Sequence, residues 1–268
     1  LLSPFLSAGF YYKTFMWPRE AWAKLYEPII RRAAGLGVAP TETDPDHYAN
    51  RFAHCDVLVA GAGAAGLTAA LSAAKTGAEV ILVDERADVG GALLFDSSTM
   101  IDGKPGYDWA QGVLAELTAM PNVRVLTRTT VFGWYDDNVF GAVEKVQKHV
   151  AQPSGELPVE RVWRIVARRA ILASGAEERP LVFGGNDKPG VMTSGAVRTY
   201  VNRYGVAAGQ NVAIFTNGGA GYRTAADLVA AGVGVAAIID GRMLLHQACG
   251  SFVAAPSSTP RGISGSRG

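Results

Sequence analysis

Cysteine is nearly missing from this sequence: Cys55 and Cys249 are the only two, far apart and in no paired motif. That excludes a disulfide scaffold and a Cys-x-x-Cys redox centre, and it fits a reducing, cytoplasmic setting. Histidine is scarce as well, and His47, His54, His149 and His246 show no metal-ligand spacing. Charge of either sign is not in excess; 25 basic residues meet 24 acidic ones, for a net +1. Nothing here draws the chain to nucleic acid or to a polyanionic surface. No run of about 18 apolar residues is present, so no membrane-spanning helix is expected.

What the sequence does have is glycine, 32 of 268 residues, in a chain that is 49% hydrophobic. This is enough for one large or two modest globular domains with a sizeable core. Residues 1–30 are rich in aromatics, and Pro18 is placed to open a helix running to about Ala34, with Gly35 and Gly37 ending it. A polar, proline-bearing connector follows, APTETDPDHYANRFAH.

The next stretch, CDVLVAGAGAAGLTAALSAAKTGAEVILVDER, carries the strongest signal. VLVA predicts a buried strand, LTAALSAAK a helix closed by Gly77, and EVILV a second strand ending at Asp84 and Glu85. Between the first strand and the helix, Gly61, Gly63 and Gly66 complete a G-x-G-x-x-G with Ala64 and Ala65 inside it. The chemistry of a dinucleotide explains the spacing. The first glycine permits the tight turn, the second lets a pyrophosphate approach the backbone, and the third lets the helix pack closely. The free N–H groups at the helix start attract phosphate, and an acid ending the second strand accepts hydrogen bonds from a ribose diol.

NVAIFTNGGAGYRTAADLVAAGVGVAAIID repeats the plan, with Gly218 and Gly221 at two fingerprint positions and Thr216 where the first glycine belongs. Asp84 lies 18 residues after Gly66, and Asp240 lies 19 after Gly221. An ordinary turn has no reason to keep an acid at that distance, so the repeat predicts a second dinucleotide fold, with or without its ligand. Two further segments fit a nucleotide crevice. Gly90-Gly91 offers close backbone approach, and ILASGAEERP is a strand ending in the small residues Ser174 and Gly175. Within the latter, Glu177, Glu178 and Arg179 are a charged cluster that suits either a functional role or a solvated turn. Between the units, YDWAQGVLAELTAM reads as a helix closed by Pro121, and VRVLTRTTVFGWYD and VWRIVARRAILAS as strands of a smaller antiparallel layer.

Taken together, GAGAAG, VDERADVGG, ASGAEERPL and TNGGAGYRTA resemble flavoprotein oxidoreductases of the glutathione-reductase type, which carry two dinucleotide-binding domains. SAGFYYKTFMWP, RTTVFGWYDDN, ERPLVFGGNDKPGVM and FTNGGAGYRTA resemble more closely the alpha subunits of heterotetrameric sarcosine oxidases, from about residue 3 to 242. The resemblance implies an α/β, Rossmann-like FAD/NAD(P)-binding fold with an inserted, incomplete second unit. With the composition of the two ends, the expected division is an aromatic-rich extension and linker (1–54), a FAD/NAD(P)-binding domain (55–184), a partial second domain (185–242) and an irregular or disordered tail (243–268) whose SSTPRGISGSRG has linker character. The resemblance also implies NAD or FAD at the first fingerprint and FMN at a subunit interface. The expected partners are beta, gamma and delta subunits, with a small amine substrate oxidised on a partner subunit and its one-carbon unit passed to tetrahydrofolate. The chain by itself is then expected to be inactive. No catalytic residue is picked out in this sequence. A free-standing NAD(P)H-dependent flavin reductase and a non-catalytic nucleotide-binding subunit are the alternatives; the first wants either a redox dithiol, which this sequence lacks, or a direct hydride path to its flavin.

Overall fold

The computed structural model describes residues 17–18, 20–35, 37 and 41–242, so the tail expected from residue 243 and the first sixteen residues lie outside the described residues. The chain divides into two compact units, 1–46 and 47–268. In the first, a wide π-type turn over Trp22–Tyr26 leads into helix α1, Glu27–Ala33. The expected single helix from Pro18 is therefore shorter and less regular. Pro28 has no N–H to give the Lys24 carbonyl, and the turn before it opens so that Glu27 N–H bonds the Trp22 carbonyl. Gly35, at φ +68°, ends the helix in the left-handed region.

The second unit begins with β1, Tyr48–Ala60, then α2, Ala64–Lys75, and β2, Val80–Val83. A small hairpin, β3 (Met100–Ile101) and β4 (Lys104–Pro105), leads to α3, Gly106–Ala119, and to β5, Val123–Leu126. Then come β6 (Thr129–Tyr135), β7 (Val139–Lys145) and β8 (Glu160–Leu172). One sheet of six strands results, ordered β5-β2-β1-β8-β7-β6. β5, β2, β1 and β8 are mutually parallel, while β7 and β6 are added antiparallel at the far side. Of the strands expected in a separate antiparallel layer, β5 and β8 are instead parallel members of the main sheet, and β6 joins the same sheet through the antiparallel β7. β7 is a strand the sequence pattern concealed, because Gly141, Glu144 and Lys145 interrupt its apolar run. The β6–β7 turn needs left-handed backbone at Asp137 (φ 58°) and Asn138 (φ 54°), residue types that tolerate it.

β1 is long because β8 follows it from Tyr48 to Ala60, well beyond the reach of β2. At Asp56 and Val57 the two N–H groups both bond Glu79 O, at 2.9 and 3.1 Å. The alternation slips there. Ala53 and Cys55 face the same core cluster as Leu58, Ile81, Trp163 and Ile165. Val59 turns to the other face, where α2 and α3 bring Leu67, Ala70, Val113 and Leu117 against Val80 and Leu82. Each fully buried leucine contributes roughly 1.5–3 kcal/mol.

After β8 the chain forms α4, Ser194–Tyr204, and a second strand–helix–strand: β9 (Asn211–Thr216), α5 (Ala220–Ala230) and β10 (Gly234–Asp240). β9 and β10 pair in parallel as a sheet of their own over Ile214, Ala225, Leu228 and Val233. No helix among the described residues is long and apolar enough to cross a membrane.

Candidate functional site

At the carboxyl end of β1 the three glycines of the first loop serve different ends. Gly61 has φ +104°, and a Cβ there would overlap the Ala173 carbonyl oxygen at the end of β8. A Cβ on Gly66 would overlap the Gly61 carbonyl, so α2 can start this close to β1 only with glycine. Gly63 is unlike both. Its φ is −75°, which any residue adopts, and the nearest atom to a Cβ there is the Gly91 Cα at 3.9 Å. Space is open at the middle glycine, the position where a diphosphate needs to meet the main chain. Gly63 is also the N-cap of α2 and supplies no side-chain cap. The helix start, with Ala64 and the exposed Ala65 in its first turn, keeps its attraction for an anion.

Asp84 closes the loop from the side. Its backbone is held in the sheet, N–H to Leu126 O at 2.9 Å and carbonyl to Thr129 N–H at 2.8 Å. Its carboxylate accepts from the Ala62 N–H at 2.6 Å and from the Arg86 N–H at 2.8 Å. A carboxylate has about four lone-pair sites, so two remain for a ligand's hydroxyls. The neighbouring Glu85 is exposed.

The other expected residues also gather here. Gly90 donates to Ala62 O at 2.8 Å, and a Cβ on Gly91 would come within 2.9 Å of the Gly63 Cα. Gly91 is thus required by its packing on the first loop, and Gly90 by its φ of +130°. Ala173 N–H bonds Ala60 O at 2.7 Å, which sets the exposed Ser174 and Gly175 beside the same loop. Two contributors were missed in the sequence: Ala62, whose N–H orients Asp84, and Ala173, whose carbonyl demands glycine at 61. Only pairing between β1 and β8 reveals the second of these.

Gly218 and Gly221 lie in the second unit's own loop. That loop takes no left-handed residue, so Thr216 is no obstacle to its backbone, and Asn217 and the glycines are not called on for flexibility. The Thr216 hydroxyl accepts from Gly218 N–H at 3.1 Å and donates to Gly218 O at 2.9 Å. Glu178 serves the fold, accepting from the N–H groups of Ser194 and Gly195 at 2.9 and 2.7 Å and so capping α4. Arg223 is exposed at the start of α5. Among the described residues no group of His, Cys, Asp and Glu is set to hold a metal ion.

A parallel sheet with a glycine loop, an uncapped helix start and a half-satisfied acid is the arrangement by which doubly wound α/β folds receive a dinucleotide. Residues 56–154 match the family model for FAD dependent oxidoreductases. The chain is 66% identical over 242 residues to sarcosine oxidase subunit alpha of Rhizobium meliloti (strain 1021), covering 90% of this chain and 24% of that protein. It is 46% identical to sarcosine oxidase subunit alpha of Corynebacterium sp. (strain P-1), covering 87% of this chain and 24% of that one. Among solved structures, L-proline dehydrogenase from P. horikoshii shares the fold, with a TM-score of 0.56 and 22% identity over 75% of this chain and 37% of its own. The chain is thus similar to FAD-dependent oxidoreductases over residues 56–154 and to sarcosine oxidase alpha subunits over most of its length. It spans about a quarter of the length of those relatives.

Proposed function

We propose that this chain is the dinucleotide-binding part of a flavin-dependent amine oxidoreductase subunit, of the kind that oxidises sarcosine with O2 to glycine and hydrogen peroxide. The observation that carries nucleotide binding is the open space at Gly63 beside an Asp84 with acceptor capacity left. The amine substrate rests on the 66% identity to a sarcosine oxidase alpha subunit. FAD or NAD would lay its diphosphate over Gly61, Gly63, Ala64, Ala65 and Gly66, and its adenosine ribose on Asp84 with Glu85 nearby. Gly90-Gly91 would back the loop, and Ser174-Gly175 would leave room along the crevice. A bound dinucleotide of this kind supplies hydride-transfer capacity; this chain's residues bind and orient it and exclude bulk from the loop. Gly218 and Gly221 fall outside that set, because the Thr216 hydroxyl already occupies the N–H and carbonyl of Gly218.

In the same proposal residues 55–184 and 185–242 act as the two nucleotide domains of a larger cytoplasmic assembly. FMN lies at an interface with a partner, the beta, gamma and delta subunits complete the heterotetramer, and amine oxidation takes place on a partner. Gly63→Val tests the binding step. Its backbone suits any residue, so the variant should fold while its affinity for FAD or NAD falls at least ~100-fold by calorimetry. Undiminished affinity would reject the assignment. Sarcosine-dependent peroxide should appear only when the partner subunits are added.

A further inference from the structure

The two strand–helix–strand units differ at the acid that ends their second strand. Asp84 has two donors, both backbone N–H groups. Asp240 has four. Arg242 gives its backbone N–H and its Nε to Oδ1, each at 3.0 Å, and its terminal nitrogen to Oδ2 at 2.6 Å; the Tyr222 hydroxyl donates to Oδ2 at 3.1 Å. Four donors fill the roughly four lone-pair sites of a carboxylate, so nothing is left for a ribose diol. The Asp240 side chain is also only 3% exposed. The glycine loop is closed in the same sense. Gly218 N–H, the counterpart of the Gly63 N–H, is already given to Thr216 Oγ1. The Thr216 side chain in turn sits 2.6 Å from where a Cβ on Gly221 would be.

We propose that the second unit is latched shut by its own side chains, with Arg242 and Tyr222 holding the ligand positions of Asp240, so that the chain takes one dinucleotide, at the first loop, and not two. The inference rests on the first loop being a dinucleotide site, and it adds that the repeated fold is not a repeated site. Arg242 keeps the Asp240 carboxyl well below the usual carboxylate range through its side-chain hydrogen bonds, which fits a carboxylate already spoken for.

Calorimetric titration of the whole chain with NAD, and separately with FAD, tests it. The wild type should bind one equivalent. Asp240→Asn should leave that affinity within twofold, and Gly63→Val should abolish it. The double variant Arg242→Ala/Tyr222→Phe frees three of the four acceptor sites and should gain a second equivalent that survives Gly63→Val. Should Arg242→Ala/Tyr222→Phe lose its circular dichroism signal, Arg242→Lys/Tyr222→Phe, which keeps the charge, is titrated in its place. Two equivalents in the wild type, or a tenfold loss in Asp240→Asn, would overturn the latch, as would one equivalent in both opened variants. A wild type that binds nothing while the opened variants bind one equivalent would sink the first-loop assignment and leave the latch standing. No binding in any variant would sink both.

Discussion

Single residues separate binding from folding at the first loop. Gly63 has room for a side chain in the protein, while Gly61 and Gly66 have none. Gly61→Ala forces an L side chain to φ +104° against the Ala173 carbonyl and should cost on the order of 2–5 kcal/mol in urea denaturation. A stable Gly61→Ala would show that β8 yields more than close packing allows. Cys55 offers a second residue-scale measurement. Burial pushes its thiol from 9.0 up to about 11, only partly offset by a hydrogen bond with the Ile81 backbone. The folded state holds this proton more tightly than the unfolded chain does. Stability from this group is therefore complete below pH 9.0 and lost as pH rises towards 11, by up to about 3 kcal/mol. Cys55→Ser should flatten that slope, and Cys55 should resist alkylation at neutral pH until the protein is denatured.

At the scale of elements, the glycine-loop unit was legible because its signals are local: an apolar run, glycines at fixed offsets, an alanine-rich helix and a terminal acid all lie within one short segment. The remaining elements were less so. β7 was hidden by Gly141, and a Cβ there would strike the ring of Phe132 from the neighbouring strand, a demand made by cross-strand packing. Asn122 ties the α2–β2 turn to the start of β5 through bonds to Ala74 O and Ala78 O at 3.0 and 2.7 Å, partners 48 and 44 residues away. Glu178 belongs here too. Glu178→Ala should lower stability by about 1 kcal/mol and speed amide exchange at Ser194 and Gly195, while dinucleotide affinity stays unchanged. A loss of affinity without loss of stability would make Glu178 a ligand-binding residue and not a helix cap.

For the whole second unit, the joint between the large sheet and the small one is polar. Arg198, its side chain 8% exposed, donates from Nε to Asp227 at 2.6 Å and reaches Asp96 at 3.4 Å. Asn202 bonds Phe95 O at 2.8 Å, and Arg203 pairs with Asp88 at 2.5 Å. Asp88 and Asp96 flank the Gly90-Gly91 doublet in the chain, so α4 grips the segment that backs the first glycine loop. Removing one partner of a buried pair strands the others. Arg198→Ala should cost roughly 3–5 kcal/mol and split thermal unfolding into two transitions. One undisturbed cooperative transition would show that the large and small sheets are joined by something other than this cluster.

By itself the sequence determined that the chain folds as α/β, where the first strand–loop–helix–strand lies, and which residues line its loop, because those features depend on neighbours a few positions apart. Only the tertiary structure decided that the antiparallel strands extend the parallel sheet, that Gly90-Gly91 packs on Gly63, and that Asp84 retains acceptor sites while Asp240 does not. Those outcomes turn on which groups meet across distant segments, and a hydrogen-bond site once filled by a partner is closed to a ligand however well the local motif is written.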